Sequence, residues 1–390
     1  MARVLQVIET LGLGGAERLL ALTVRELKRS AHTNVVAHLL DEPRDWRRSI
    51  EDDGVAVESL GLPTPYAGAR AVAGIRSLVA RWRIDVIHSH LYYPNFYAQF
   101  AGWLDGVPVI SSLHNLELEP EILLDNPRFT AGKQRVLALM ARTAVRLARP
   151  TLVAVSEVVR ASAIRRLGAD PATVMTIHNG VDLDQAHTAP DVRTARRALG
   201  IPDAAVVLAC VGRLVGLKGQ RYLLEAMAVV HAACPGAVLL LVGGGPHRDE
   251  LGRLAETHGV AGAVRFLGTG TALVERTMAA ADVLVAPSLS EGFGLVALEA
   301  MAMERPCVAS RTGGLAEIIE DGASGLLVPP ADAQALAAAI LRLARDPELR
   351  VRMGRRGRAI AESRFDIRDT ARRFGALYAD VVARRAATKG

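Results

Sequence analysis

Short apolar runs recur along the chain, each closed by glycine, proline or a polar group and followed by a segment with apolar positions at helical spacing. Val4 to Ile8 is the first run, and a helix is predicted after it to about Arg29. Residues 35–40 read as the next strand, with helices near 46–53 and over 71–81. Asp85-Val86-Ile87-His88-Ser89-His90, residues 107–113 and residues 151–155 continue the series. A polar stretch over 184–194 reads as a linker, and a charged helix over 193–199 leads to a second series. Its runs are 205–211, 238–242, 264–268 and Asp282-Val283-Leu284-Val285-Ala286. The last helix carries Phe374, Leu377, Tyr378, Val381 and Val382 on one face. Strand and helix in alternation predict an α/β protein with parallel sheets and helices on both faces.

With 390 residues the chain suits two domains, and its half-apolar composition suits two sheets covered by helices. Cys210, Cys234 and Cys307 each sit among apolar neighbours without metal-ligand spacing, which predicts free thiols in a reducing compartment. The first apolar run breaks at Glu9, so it reads as a strand rather than a signal peptide, and no apolar segment is long enough to span a bilayer. A net charge of +6 fits an anionic ligand, a membrane surface or an ordinary basic enzyme. A cytoplasmic protein is expected.

The most informative stretch is Pro287-Ser288-Leu289-Ser290-Glu291-Gly292-Phe293-Gly294-Leu295-Val296-Ala297-Leu298-Glu299-Ala300-Met301-Ala302. Pro287 and Ser288 stop the preceding strand, and a helix is predicted from Leu295 to Met303. Gly292 and Gly294 let the backbone approach a ligand, and the first-turn amides behind them have no partner inside the helix. A carboxylate at Glu291 suits hydroxyl groups better than phosphate, and Glu299 lies two turns on, close to the same face. The block resembles the Glu-x7-Glu motif of retaining GT-B glycosyltransferases, and within them glycosyltransferase family 4. The resemblance covers nearly the whole chain and is strongest from Cys210 to Val328.

That resemblance implies an α/β protein of GT-B type: two facing Rossmann-like domains, with a C-terminal helix crossing back to the first. The expected divisions are 1–190 for the acceptor-binding domain, 191–365 for the nucleotide-sugar domain and 366–390 for the returning helix. Val211-Gly212-Arg213-Leu214-Val215-Gly216-Leu217-Lys218-Gly219 is similar to the family's Gly-Arg-Leu-x-x-x-Lys-Gly element. Two cations on a glycine-rich turn suit a departing diphosphate. Gly243-Gly244-Gly245-Pro246 is a further turn expected near the nucleotide, and Arg265, Phe266 and Leu267 resemble the strand whose backbone meets the base. By resemblance Glu291, with the turn Gly292, Phe293, Gly294 and Leu295, binds the donor sugar, and Glu299 binds the ribose.

In the first half, Leu11-Gly12-Leu13-Gly14-Gly15-Ala16-Glu17-Arg18 looks like a dinucleotide fingerprint, but Glu17 fills its third glycine position. The turn instead resembles the family loop in which Gly14 and Gly15 approach the diphosphate and the acceptor. His114, at a strand end in Ser-Ser-Leu-His-Asn, matches the family histidine that reaches the donor sugar, with a structural strand-end histidine as the alternative. His88 and His90 stand open between structural and acceptor-side roles, since their i, i+2 spacing lacks a third metal ligand. Glu17 and Asn179, the latter in Ile177-His178-Asn179-Gly180-Val181-Asp182, complete the acceptor-side candidates.

No acidic residue falls between Asp125 and Glu157, whereas Arg128, Lys133, Arg135, Arg142, Arg146 and Arg149 do. On a helix, Arg135, Arg142, Arg146 and Arg149 form one stripe, with Val136, Met140, Ala144 and Leu147 turned largely away. This predicts either peripheral contact with the inner face of an anionic membrane or a solvated basic face.

The reaction implied is transfer, with retention, of a sugar from a nucleotide-diphosphate donor (UDP, GDP or similar) to a hydroxyl of a glycan, lipid-linked or small-molecule acceptor. Polysaccharide, glycolipid or other glycoconjugate biosynthesis is the expected setting. Arg213 and Lys218 would stabilise the leaving diphosphate without a metal, and His114 and Glu291 complete the expected catalytic set; nucleic acid is not expected as a partner. The rivals are a GT-B phosphorylase or epimerase, or a non-catalytic nucleotide-sugar binding protein.

Overall fold

The structure is a computed structural model describing residues 1–30, 32–43, 45–116, 119, 130–184 and 190–389. Arg128 of the basic interval, its boundary Asp125 and residues 185–189 of the expected linker lie outside the described residues. The chain folds as two compact units. One takes the described residues within 1–119, 130–180 and 367–389, the other those within 181–366.

The first unit runs β1 (Arg3–Ile8), α1 (Gly15–Leu27), β2 (Thr33–His38), α2 (Arg47–Asp52), β3 (Ala56–Ser59), α3 (Gly68–Trp82), β4 (Val86–His90), α4 (Tyr92–Asp105), β5 (Val109–Leu113), α5 (Ala131–Ala148), β6 (Thr151–Ala154), α6 (Glu157–Leu167) and β7 (Val174–Thr176). Its strands pair in parallel in the order β3-β2-β1-β4-β5-β6-β7. The direction of winding reverses between β1 and β4, the kind of switch point where open α/β sheets bind ligands at the strands' carboxyl ends. The expected strand over 107–113 begins only at Val109, because Gly106 turns left-handed at φ 60° and Val107 N–H donates to the Gly102 carbonyl, ending α4.

The second unit runs α7 (Val192–Ala198), β8 (Val206–Val211), α8 (Gln220–Ala233), β9 (Ala237–Val242), α9 (Arg248–Thr257), β10 (Val264–Gly268), α10 (Thr271–Ala280), β11 (Val283–Ala286), α11 (Leu295–Ala302), β12 (Cys307–Ser310), α12 (Leu315–Ile318), β13 (Gly325–Val328), α13 (Ala333–Arg345) and α14 (Pro347–Arg364). Its parallel sheet has the order β10-β9-β8-β11-β12-β13, with the reversal between β8 and β11. Leu208, Leu239, Leu241, Val283, Val285 and Val308 form the middle of its core with Leu223 and Met227 of α8. Cys210 and Cys307 are free and buried, and burial pushes each thiol up to about 12.

The last helix, α15 (Ile367–Lys389), belongs to the first unit. Phe374, Leu377, Tyr378 and Val381 bury the face that their spacing predicts, against Val4, Val86, Ile110 and Val153 of the sheet. A Cβ on Gly180 would lie 2.5 Å from the Ile367 Cα, so the chain leaves and re-enters this unit at a point only glycine allows.

Candidate functional site

In the second unit, three turns meet at the β8–β11 switch point. The turn after β8 is held by hydrogen bonds from Leu214 N–H to the Gly244 carbonyl (2.9 Å) and from Leu289 N–H to the Leu217 carbonyl (2.8 Å). These fasten it to the turns after β9 and β11. Gly219, at φ 64°, would put a Cβ 2.0 Å from the Pro287 carbonyl oxygen, so no other residue fits between the turns. Gln220 donates from Nε2 to the Arg213 carbonyl at 2.8 Å and fixes the start of the turn.

Lys218 Nζ donates to Glu291 Oε2 at 2.6 Å, and Ser288 Oγ reaches the same oxygen at 3.3 Å. Both long side chains keep part of their surface in solvent. The fold therefore brings together two residues separated by seventy-odd positions in sequence, as a cation and a carboxylate on adjacent turns. Arg213 leaves the same turn as Lys218. Gly294 caps α11 in a left-handed conformation, φ 101°, and Glu299 is half-buried further along that helix. The Phe293 ring is buried and packs edge-on against Phe365 with centroids 5.8 Å apart, so only its backbone can face a ligand. Arg265 turns its guanidinium to the Leu199 and Gly200 carbonyls at the end of α7, at 2.7 and 3.1 Å. Arg248 stacks over Phe266, 3.7 Å from the ring centroid. The side chains of Arg265 and Phe266 are thereby occupied within the unit, and the backbone of β10 is what they leave available.

Two supporting glycines carried no site role in the sequence reading. Gly313, at φ 50°, would place a Cβ 1.7 Å from the Glu291 carbonyl oxygen, and Gly314 N–H donates to that oxygen at 3.1 Å. Their signal was a Gly-Gly pair a few residues after an apolar run, which sequence alone could not connect to Glu291.

In the first unit, Gly14 caps α1 and Gly15 begins it. Glu17 folds back so closely that a Cβ on Gly14 would lie 2.0 Å from its Oε2, and Thr10 Oγ1 donates to Glu17 Oε1 at 3.3 Å. Glu17 thus braces the glycine turn. His88 has both ring nitrogens engaged, Nδ1 with Tyr378 OH at 2.7 Å and Nε2 with Ser112 Oγ at 2.8 Å, and is buried. His90 is likewise buried and engaged, Nε2 with Gln6 Oε1 at 3.0 Å and Nδ1 with His114 Nε2 at 3.1 Å. Both nitrogens of each ring are thus engaged within the unit. His114 keeps Nδ1 without a partner among the described residues. Asn179 is buried just past β7, the edge strand of the sheet.

Burial lowers the pKa of His114 to about 4 and that of His88 to about 3, the latter also through His114. His90 lies well below the ordinary range for the same reasons. All three rings are neutral at physiological pH. Among the described residues no group of three or more His, Cys, Asp or Glu side chains could hold a metal ion.

Helix α5 departs from the simple amphipathic picture. Of the residues turned away from its arginine stripe only Ala144 is buried; Val136, Met140 and Leu147 are exposed, as is Leu139 at 65%. Arg135, Arg142, Arg146 and Arg149 are exposed beside this apolar strip, and Arg142 Nε also donates to the Arg166 carbonyl at 2.6 Å. Among the described residues no helix is long and apolar enough to cross a membrane.

The family described as glycosyl transferases group 1 matches residues 191–360, and Glycosyltransferase Family 4 matches residues 13–185. The D-inositol 3-phosphate glycosyltransferase of Saccharomonospora viridis is 36% identical over 321 residues, 77% of this chain and 70% of that protein. This chain belongs to glycosyltransferase family 4. HepE of Anabaena, solved with UDP and glucose, superposes with a TM-score of 0.82 at 25% identity over 97% of this chain and all of HepE. The sucrose-phosphate synthase of Thermosynechococcus elongatus shares the fold with a TM-score of 0.82 at 23% identity, over 98% of this chain and 99% of that one. The protein is a GT-B glycosyltransferase, an enzyme that takes its sugar from a nucleotide sugar.

Proposed function

We propose that the enzyme transfers a hexose from a UDP-sugar to a hydroxyl acceptor with retention of anomeric configuration, in glycoconjugate or polysaccharide assembly. The observation that carries this reading is the Lys218–Glu291 pair at 2.6 Å on the turns after β8 and β11, with Arg213 on the first of those turns. Arg213 and Lys218 meet the diphosphate as fixed positive charges, and Glu291 accepts from sugar hydroxyls beside them. Glu299 holds the ribose. Gly14 and Gly15 offer backbone amides to the phosphates, Gly244 and the backbone of 265–267 serve the nucleotide, and His114 meets a sugar hydroxyl. Charges already in place before reaction stabilise the leaving group without solvent reorganisation. With no carboxylate assigned as nucleophile, the departing phosphate itself accepts the acceptor's proton, on the same face from which it leaves. The two cations supply the charge a metal would otherwise bring, so turnover persists in chelator.

UDP is favoured because HepE binds it, and a hydroxylated, phosphorylated cyclitol is the acceptor suggested by the relatives' name, D-inositol 3-phosphate glycosyltransferase. The exposed apolar strip and arginines of α5 support peripheral attachment to an anionic membrane, which would suit a lipid-linked acceptor instead. The test is turnover of UDP- and GDP-sugars with D-inositol 3-phosphate and with lipid-linked glycans, followed by the anomeric coupling constant of the product. A product of inverted configuration would overturn retention, and exclusive use of GDP-sugars would overturn the donor assignment.

A further inference from the structure

Inside the first unit, Asn34, Gln6, Tyr378, His88, Ser112, His90 and His114 form one connected hydrogen-bond network. We propose that this network fixes the tautomer of His114, with Gln6 and His90 as positioning residues, so that the ring offers a lone pair at Nδ1, not an N–H, to a sugar hydroxyl. The last step rests on the sugar-transfer reading given above; the tautomer does not.

Gln6 Nε2 donates to Asn34 Oδ1 at 2.9 Å and to Tyr378 OH at 3.0 Å, which uses both of its hydrogens. Gln6 Oε1 can only accept, so His90 Nε2, 3.0 Å away, carries the hydrogen between them. A neutral imidazole has one N–H, so His90 Nδ1 must accept from His114 Nε2 at 3.1 Å. His114 then has its lone pair at Nδ1. On the other branch, Tyr378 accepts from Gln6 and donates to His88 Nδ1 at 2.7 Å, which leaves His88 Nε2–H to donate to Ser112 Oγ at 2.8 Å. All three histidines therefore carry their hydrogen on Nε2.

Strand register holds the chain in line. Gln6 of β1 lies opposite His88 of β4, and His90 lies opposite Ser112 of β5. His88 and His90, two apart on a strand, project to the same face. Tyr378, fully buried on α15, covers that face. Neutrality is enforced as well, because one hydrogen alone fits between His90 Nδ1 and His114 Nε2, and burial lowers the pKa of all three rings. Turning over the amides of Gln6 and Asn34 would reverse every bond in the network. The second nitrogen of His114, Nδ1, thus follows the orientation of the Gln6 amide one for one. A hydroxyl facing Nδ1 is held as a donor, whereas a carboxylate in the same place meets a lone pair and is disfavoured.

Long-range 1H–15N spectra of the full chain with 15N-labelled histidine read the tautomers directly. The expected result is three neutral rings protonated at Nε2 at neutral pH. A His114 protonated at Nδ1, or any of the three charged, overturns the proposal. Asn34→Asp leaves at position 34 a carboxylate that can only accept, which favours Gln6 Nε2 facing it, so the Nε2 tautomers should be unchanged from the wild type; a tautomer change on this substitution would indicate the reverse polarity in the wild type and sink the assignment. Gln6→Met removes the acceptor at similar volume. It should mix the His90 and His114 tautomers and lower kcat on the order of tenfold, with affinity for nucleoside diphosphate unchanged. An unmixed spectrum in Gln6→Met would disprove the coupling, and if a variant fails to fold, the wild-type spectrum decides alone. Absence of nucleotide-sugar turnover in the wild type would instead defeat the reading of sugar transfer and leave the tautomers to be judged by the spectrum.

Discussion

Lys218 and Glu291 neutralise one another at 2.6 Å, so the most specific motif of each turn is the other's electrostatic partner. The pair is partly exposed, at 27% and 18% of its side-chain surface, which limits its value to folding. A double-mutant cycle of Lys218→Ala and Glu291→Gln should give a coupling of about 1 kcal/mol in denaturant unfolding. Turnover should fall on the order of 10²-fold or more in Lys218→Ala, because leaving-group stabilisation in a preorganised site is worth more than a surface ion pair. A stability loss large enough to account for the activity loss would count against this.

The two glutamates should fail differently. Glu291→Gln should lower kcat/KM for the nucleotide sugar and scarcely change the Kd of the bare nucleoside diphosphate. Glu299→Gln should weaken both ligands, by about 1–3 kcal/mol for a lost charged hydrogen bond. Calorimetric Kd values for both ligands in both variants check it; equal weakening of the diphosphate by the two changes would refute the division of roles.

Glycines with the same backbone sign should differ in tolerance. Gly313→Ala forces a Cβ to within 1.7 Å of the Glu291 carbonyl oxygen at φ 50°, whereas Gly322, at φ 78°, has nothing within 4 Å of its Cβ position. The first should cost about 2–4 kcal/mol and displace Glu291, the second about 1 kcal/mol. Chemical denaturation and turnover of both variants are the measurement, with activity expected to survive only in Gly322→Ala.

Buried histidines make the first unit acid-sensitive. His88 and His114 have folded-state pKa values of about 3 and about 4, below the ordinary 6.5, so between those values the unfolded chain binds more protons than the folded one. Their contribution is complete above about pH 6.5 and is lost as pH falls toward the folded-state values, by on the order of 2 kcal/mol per ring at about pH 5. Urea unfolding at neutral pH and near pH 5 should show the loss, and His88→Gln should flatten it. A pH-independent midpoint would mean that the rings are not buried as neutral groups.

If α5 lies on lipid, its two kinds of side chain should be separable by salt. Replacing Arg142, Arg146 and Arg149 with Gln should weaken binding to anionic vesicles by about 1 kcal/mol per residue at low salt. Leu139→Ser with Met140→Ser should weaken what remains at high salt. Vesicle sedimentation reads both, and unchanged pelleting would leave α5 as a solvated face.

Sequence carried the second unit further than the first. The block around Glu291 and the turn around Arg213 and Lys218 each lie within a few residues, so their spacing already encodes the local geometry. The Lys218–Glu291 bond and the seating of Gly313 under Glu291 depend on which turns become neighbours at the β8–β11 reversal, and no local pattern states that. Gln6 was visible as one polar residue inside an apolar strand, and Tyr378 as one more core position of the last helix. What joined them to His114 was sheet order, which places β1, β4 and β5 side by side. The apolar side of α5 was readable as a period, but whether that side met the sheet or solvent was not.

The return of α15 also orders events in time. During synthesis the whole of residues 181–366 leaves the ribosome before Ile367, so the second unit can fold first. The strands of the first unit meanwhile lack the helix that buries Val4, Val86, Ile110 and Val153, together with the Tyr378 hydroxyl that His88 needs. For that interval a nascent chain shows an uncovered apolar sheet face, the kind of surface that chaperones hold and that aggregation exploits.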